Sequence, residues 1–141
     1  MLRVAIIGGY GNFGSYVARA LAPHPGIELI ICGRDLSKAL NFAESLQAAN
    51  PATSEAVDIT GDPGTMMGGI EPDLVINMVG PYSTQTYAVA EAAIACGAHY
   101  CDIADAREFV CGIGELDDAA QAAGVAVLAG ASSVPALTAA Y

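Results

Sequence analysis

The chain has 141 residues, of which 54% are hydrophobic and 14% charged, so it has the size of one domain and enough apolar content for strands buried on both faces. Its formal net charge of −10 argues against nucleic acid as a partner, because phosphate contacts need clustered Lys and Arg. No apolar stretch reaches the roughly 18 uninterrupted residues of a membrane span, and no signal peptide precedes the first strand, so no membrane partner and a cytoplasmic location are expected.

Leu2 to Ile7 is a short apolar run that predicts a buried strand, stopped by Gly8 and Gly9. From Gly11 the pattern turns helical, with Phe13, Val17 and Leu21 spaced on one face. Pro23-His24-Pro25-Gly26 ends that helix, and Ile27 to Cys32 predicts a second buried strand. Asp35 is placed to cap a second helix with Leu36, Ala39, Leu40 and Ala43 on its apolar face, closed by Asn50-Pro51. Ser54 to Ile59 is a weaker third strand, and Asp62-Pro63 opens a short helix. Asp73 to Val79 predicts strand four, apolar apart from Asn77, and Gly80-Pro81 breaks it. A helix from about Thr84 to Cys96, strand five from Ala98 to Ile103, a helix from about Ile113 to Ala123 and strand six from Val125 to Gly130 complete the pattern. Gly97 and Gly124 stand between helix and strand, where positive φ is often needed. Alternating β and α elements with apolar strands predict an α/β fold. It is a Rossmann-type doubly wound parallel sheet of about six strands, order 3-2-1-4-5-6, with helices on both faces.

Gly9-Tyr10-Gly11-Asn12-Phe13-Gly14 has the G-x-G-x-x-G spacing between a buried strand and an amphipathic helix, the context that makes it a dinucleotide-binding turn. Gly9 is expected to make the tight turn, Gly11 to let the pyrophosphate approach, and Gly14 to let the helix pack on the strand. The phosphates then lie at a helix N-terminus, where unpaired N–H groups favour negative charge. This suits an acidic chain in which four of the five basic residues (Arg3, Arg19, Arg34 and Lys38, with Arg107 beyond) fall in the first 40 positions.

An NAD site commonly has an acid near the end of strand two, for the ribose 2′-hydroxyl. This chain has Gly33-Arg34-Asp35, and an arginine there can pair with a 2′-phosphate, which favours NADP over NAD. Asp35, as helix cap, is expected to be engaged elsewhere. Asp58 either meets the adenine amino group or is a solvated strand end. Asn77, as a buried amide, either touches ligand or ties neighbouring loops together. Gly80, Pro81 and Tyr82 follow where the backbone should pass the cofactor. Cys32, Cys96, Cys101 and Cys111 show neither a CxxC pair nor zinc spacing; they read as reduced thiols, and no metal is expected.

Ligands of open α/β sheets bind at the carboxyl ends of the strands, and Tyr82, Tyr100, Asp102, Asp105, Ser132 and Ser133 lie on that edge. Tyr100 and Asp102, two apart, share a face; they either orient substrate and relay a proton, as catalytic residues, or pack in the core rim and brace a loop. His99 faces the other way, as a proton carrier or a packed, hydrogen-bonded histidine.

Taken together, Gly8 to Gly14, Gly33-Arg34, Asn77-Met78-Val79-Gly80-Pro81-Tyr82, Ala95 to Asp102 and Ser133-Val134-Pro135 resemble the N-terminal NAD(P)-binding domain of the saccharopine dehydrogenase-like family. The resemblance spans nearly the whole chain. It implies an NAD(P)-dependent oxidoreductase moving hydride to or from a carbon bonded to nitrogen in an amino-acid-like substrate. It also implies a second domain that supplies much of the substrate site and would lie beyond Tyr141. On that view residues 1–141 are an N-terminal fragment with little turnover of its own, and an apolar surface left by the missing domain would favour a homodimer. Where many members continue after Tyr-x-Asp with a small hydroxyl residue, Gly and Glu, this chain reads Ile103-Ala104-Asp105-Ala106, which leaves the substrate open. The rival of a different class is a non-catalytic NAD(P)-sensing domain. A short-chain dehydrogenase is set aside because no Tyr-x-x-x-Lys is present, a methyltransferase because Gly33-Arg34 ends strand two, and a P-loop enzyme because Gly-Lys-Ser/Thr is missing.

Overall fold

The computed structural model describes residues 1–133. Val134, Pro135 and Tyr141, named above in the family resemblance, lie outside the described residues.

Six parallel strands form one sheet: β1 (Leu2–Ile7), β2 (Ile27–Gly33), β3 (Thr53–Ala56), β4 (Leu74–Asn77), β5 (His99–Asp102) and β6 (Val127–Leu128). Their order is β3-β2-β1-β4-β5-β6, as the β-α alternation predicts. The central strand β1 pairs with β2 on one side and β4 on the other, so that Ile7 lies beside both Cys32 and Asn77. The helices are α1 (Asn12–Leu21), α2 (Leu36–Ser45), α3 (Pro63–Met66), α4 (Ala88–Ala95), α5 (Arg107–Gly112) and α6 (Asp117–Ala123).

Alternation along each strand divides the core in two. Val4, Ile6, Leu29, Ile31 and Ile76 pack with Ala18 of α1 and Ala39 and Ala43 of α2. Ala5, Ile7, Ile30, Val75 and Tyr100 pack on the other face with Val89, Ala90 and Ala93 of α4 and with Met66 and Leu116. A third cluster, Tyr82, Ala104 and Phe109, closes the carboxyl edge beside β5. Gly97 and Gly124 take φ of +74° and +70° and turn helix directly into strand.

Several element boundaries differ from the expectations. Helix α1 buries Gly14 and Ala18 most deeply, with Val17 and Leu21 half-buried against the same core as expected, whereas Phe13 is 66% exposed. Helix α2 likewise buries Ala39 and Ala43 and leaves Leu36 and Leu40 exposed. Small side chains take the most buried positions of both helices, with Val17, Leu21 and Phe42 packed half-buried beside them. The helix expected from Thr84 begins at Ala88, after a 3₁₀ turn at Tyr82–Thr84. The helix expected from Ile113 to Ala123 is a 3₁₀ turn, Ile113–Leu116, followed by α6, and α5 precedes it unexpectedly. Helix α5 has no side-chain cap and a single buried residue, Phe109, so it carries no periodic signal. Strands three to six are shorter than expected, and β3 begins at Thr53, one residue before its expected start.

Candidate functional site: a two-chambered groove at the carboxyl edge

The turn after β1 is set by contacts that leave no room for a side chain. Gly8 takes φ +76°, and a Cβ there would stand 2.8 Å from Val79 Cγ2. The tight turn assigned to Gly9 therefore belongs to Gly8. Gly9 is confined by packing, since its Cβ would meet the Ile6 carbonyl at 2.9 Å and Ile31 Cγ2 at 3.0 Å. The N–H groups of Gly8 and Gly9 both donate to the Cys32 carbonyl, at 2.8 and 3.1 Å, and so tie the turn to the end of β2. A Cβ on Gly14 would overlap the Gly8 carbonyl and lie 2.8 Å from Gly9 Cα, so α1 rests directly on the turn. At Gly11 the Cβ would meet Gly8 O alone, at 3.1 Å, and its other side is open.

Gly11 is the N-cap of α1 and has no side chain with which to cap it, and no acidic residue occupies the first turn. The N–H groups of Asn12, Phe13 and Gly14 thus lack intrahelical acceptors and favour an anion. A cavity of about 340 Å³ extends from here over β2 and β3, between Gly8, Tyr10, Gly11, Gly33, Arg34, Asp58, Thr60 and Gly80. Arg34 is exposed in it and makes no ion pair among the described residues. Asp35 is engaged elsewhere, as expected: its Oδ1 accepts from the Lys38 N–H at 3.1 Å, and its Oδ2 lies 3.6 Å from Lys38 Nζ. Asp58 Oδ1 accepts from the Thr60 N–H and hydroxyl at 2.9 and 2.7 Å. Those bonds, with Arg34 adding its charge, hold the Asp58 carboxyl below its ordinary range. The cradle a Cβ would fill, the uncapped helix and the unpaired arginine together fit a phosphate-bearing dinucleotide.

Gly80 also borders a second cavity of about 640 Å³, lined by Phe13, Tyr16, Val17, Met78, Pro81, Tyr82, Ile103, Asp105, Ala131 and Ser132. It is largely apolar, with Asp105 as its one carboxylate. The two cavities meet at Gly80 on the carboxyl edge of the sheet, and together they are lined by Gly8, Tyr10, Gly11, Phe13, Arg34, Asp58, Gly80, Pro81 and Tyr82 among others. Ser133 is exposed and lines neither cavity.

Under the second cavity runs a buried polar chain. The Tyr82 hydroxyl donates to the Asn77 carbonyl at 2.7 Å, and the Val79 N–H donates to Asn77 Oδ1 at 3.1 Å. Asn77 Nδ2 donates to Gln85 Oε1 at 3.5 Å and to the Tyr100 hydroxyl at 3.4 Å. Tyr100 in turn donates to Asp102 Oδ2 at 2.8 Å, and Asp102 Oδ1 accepts from the N–H groups of Ala104 and Gly130 at 2.9 and 2.8 Å. Burial, reinforced by the Asp102 charge, pushes the Tyr100 and Tyr82 phenols well above their ordinary range, so both stay protonated. Tyr100 and Asp102 share a face, as their spacing predicts, yet they line neither cavity; Asn77, equally buried, ties loops together. His99 lies at the opposite, amino end of β5, exposed, with Nδ1 accepting from the Ala126 N–H at 2.9 Å. Gln85 and Thr60 have structural parts here that nothing in their sequence surroundings signals.

The fold is shared with known dehydrogenases. Saccharopine dehydrogenase (L-Glu forming) from Saccharomyces cerevisiae superposes with a TM-score of 0.73 at 20% identity, over 93% of this chain and 27% of that enzyme. Biliverdin reductase from Synechocystis sp. PCC 6803, solved with biliverdin and NADP+, gives 0.61 at 19% identity over 91% of this chain and 37% of its own. The WlbA dehydrogenase from Thermus thermophilus, solved with NAD and UDP-GlcNAcA, gives 0.61 at 16% identity over 92% and 41%. At such identities the likeness establishes the fold, and this chain spans well under half the length of each. No curated protein sequence matches the chain. Among the described residues no helix is long and apolar enough to cross a membrane. The family model for the saccharopine dehydrogenase NADP binding domain matches residues 4–128, most of the groove included, and the chain belongs to that family.

Proposed function

We propose that this chain is the cofactor-binding part of an oxidoreductase that uses NADP in preference to NAD. The observation that carries the reading is the glycine cradle beneath the uncapped N-terminus of α1, with an unpaired Arg34 at the far end of the same cavity. Gly8, Gly11 and the first-turn N–H groups of α1 would hold the pyrophosphate, and Arg34 a 2′-phosphate. Asp58, ionised and fixed by Thr60, would accept from the adenine amino group. When bound, the nicotinamide supplies or accepts a hydride. The apolar walls of the second cavity would exclude water from that reaction.

Within this reading the substrate is an amino-acid-like compound reacting at a carbon bonded to nitrogen, supported by the family to which the chain belongs. A further domain would close the second cavity over that substrate; the chain's 27% share of the yeast enzyme's length accords with this. Tyr100 and Asp102 act as positioning residues, because their polar atoms are committed to each other and to the loops after β5 and β6.

Titration calorimetry with NADP+ and NAD+, on wild type and Arg34→Ala, tests the reading. Tighter binding of NADP+ is expected, with roughly a tenfold to hundredfold loss of that affinity in the variant and little change for NAD+. A folded chain that binds neither dinucleotide would overturn it.

A further inference from the structure

Tyr10 connects the glycine turn to the Arg34 corner. Its ring lies over Gly33 so closely that a Cβ at Gly33 would stand 2.8 Å from both the ring Cζ and the hydroxyl oxygen. That oxygen accepts from the Asp35 N–H at 3.1 Å. The phenol's own proton has no acceptor among the described residues, and Tyr10 lines the same cavity as Arg34. Arg34 lies between the residue the ring covers and the residue the hydroxyl holds, so Tyr10 fixes the turn that carries the guanidinium.

From this geometry we infer that Tyr10 is a second determinant of specificity for the phosphorylated dinucleotide, its hydroxyl giving the 2′-phosphate a hydrogen bond beside Arg34. The inference rests on the groove being a dinucleotide site. A bond to a charged phosphate oxygen is roughly twice as strong as one to a neutral ribose hydroxyl, so losing it discriminates between the two cofactors. The phenol reaches this corner only because residue 33 is glycine.

The test is calorimetric titration of Tyr10→Phe with NADP+ and NAD+ beside the wild type, with thermal unfolding as a check on the fold. Tyr10→Phe keeps the ring and frees the Asp35 N–H to bond water at a partly exposed site, so the variant should fold. Expected is a roughly tenfold loss of NADP+ affinity with less than about a threefold loss for NAD+. An equal loss for both cofactors would reduce Tyr10 to a structural support of the turn and overturn the inference, as would no loss for either. Wild type binding neither dinucleotide would remove the underlying reading and this inference with it.

Discussion

The Tyr100 hydroxyl meets the Asp102 carboxylate at 2.8 Å where both residues are sealed from solvent, Tyr100 at 2% exposure and Asp102 at 0%. A carboxylate in such a place must have its oxygens filled, and Asp102 accepts three hydrogen bonds, from Tyr100, Ala104 and Gly130. Those donors belong to β5, the loop after it and the loop after β6. The two loops carry Ile103, Asp105, Ala131 and Ser132, four residues of the second cavity's wall.

Asp102→Asn preserves shape but turns one acceptor into a donor, facing either a phenol or two backbone N–H groups. It should lower stability by about 1–3 kcal/mol, read as a shift in the urea midpoint, with Tyr100→Phe costing a similar amount. In the whole protein, positioning predicts that turnover falls together with stability. Loss of turnover in Tyr100→Phe at unchanged stability would instead show that the phenol takes part in proton transfer.

Gly14→Ala drives a Cβ into the Gly8 carbonyl, so α1 must lift from the turn. About 1–3 kcal/mol of stability and most of the dinucleotide affinity should be lost. Gly26→Ala is the matched control, because a Cβ there meets nothing within 4 Å. It should leave binding intact and stability unchanged or up to about 1 kcal/mol higher. Equal effects at the two positions would refute the packing argument.

Arg34 is exposed, so its attraction for a 2′-phosphate is open to screening by salt. Calorimetry at ionic strengths from about 0.01 M to about 1 M should show the NADP+ preference shrinking several-fold as the Debye length falls from about 30 to 3 Å. In Arg34→Ala the ratio of the two affinities should be nearly flat with salt. A wild-type preference indifferent to salt would place the discrimination on another group.

Burial, with Glu55 adding its charge, raises the Cys32 thiol from 9.0 to about 12. Below pH 9.0 it is protonated folded and unfolded, and its contribution to stability is fully present. Between 9.0 and about 12 the unfolded chain releases the proton and the folded chain keeps it, so stability falls as pH rises. The slope should approach about 1.4 kcal/mol per pH unit, and the raised Tyr82 and Tyr100 phenols steepen it above their ordinary value of 10.0. Urea unfolding at about pH 8 and about pH 10.5 measures this. In Cys32→Ala the part of the slope that begins at 9.0 should shrink to what Cys96 and Cys101 contribute, whose thiols burial also raises.

The strand order and the glycine turn after β1 were legible because they rest on local or strongly periodic signals. Apolar runs stopped by glycine define the strands, and right-handed crossovers leave little choice of order for a β-α alternation. Gly97 and Gly124 could be placed for the same reason, since backbone conformation after a helix is a local matter. Asp35 as a cap was equally local, one side chain reaching an N–H three residues on.

What the chain's order of residues alone determined, then, was the fold, the glycine turn after β1 and the place of Arg34 at the end of β2. Tertiary structure decided the rest, because those features depend on how near two distant segments come. Helical periodicity placed Phe13 and Leu40 on the apolar faces, but the fully buried positions of the two helices fell to Gly14, Ala18, Ala39 and Ala43, while Phe13 and Leu40 stayed exposed. The spacing of Tyr100 and Asp102 showed that they share a face. Whether that face meets ligand or loop was set by the chain returning at Gly130 to fill the carboxylate. Tyr10 reaches Asp35 across 25 residues, a closeness that exists only once β1 and β2 lie side by side.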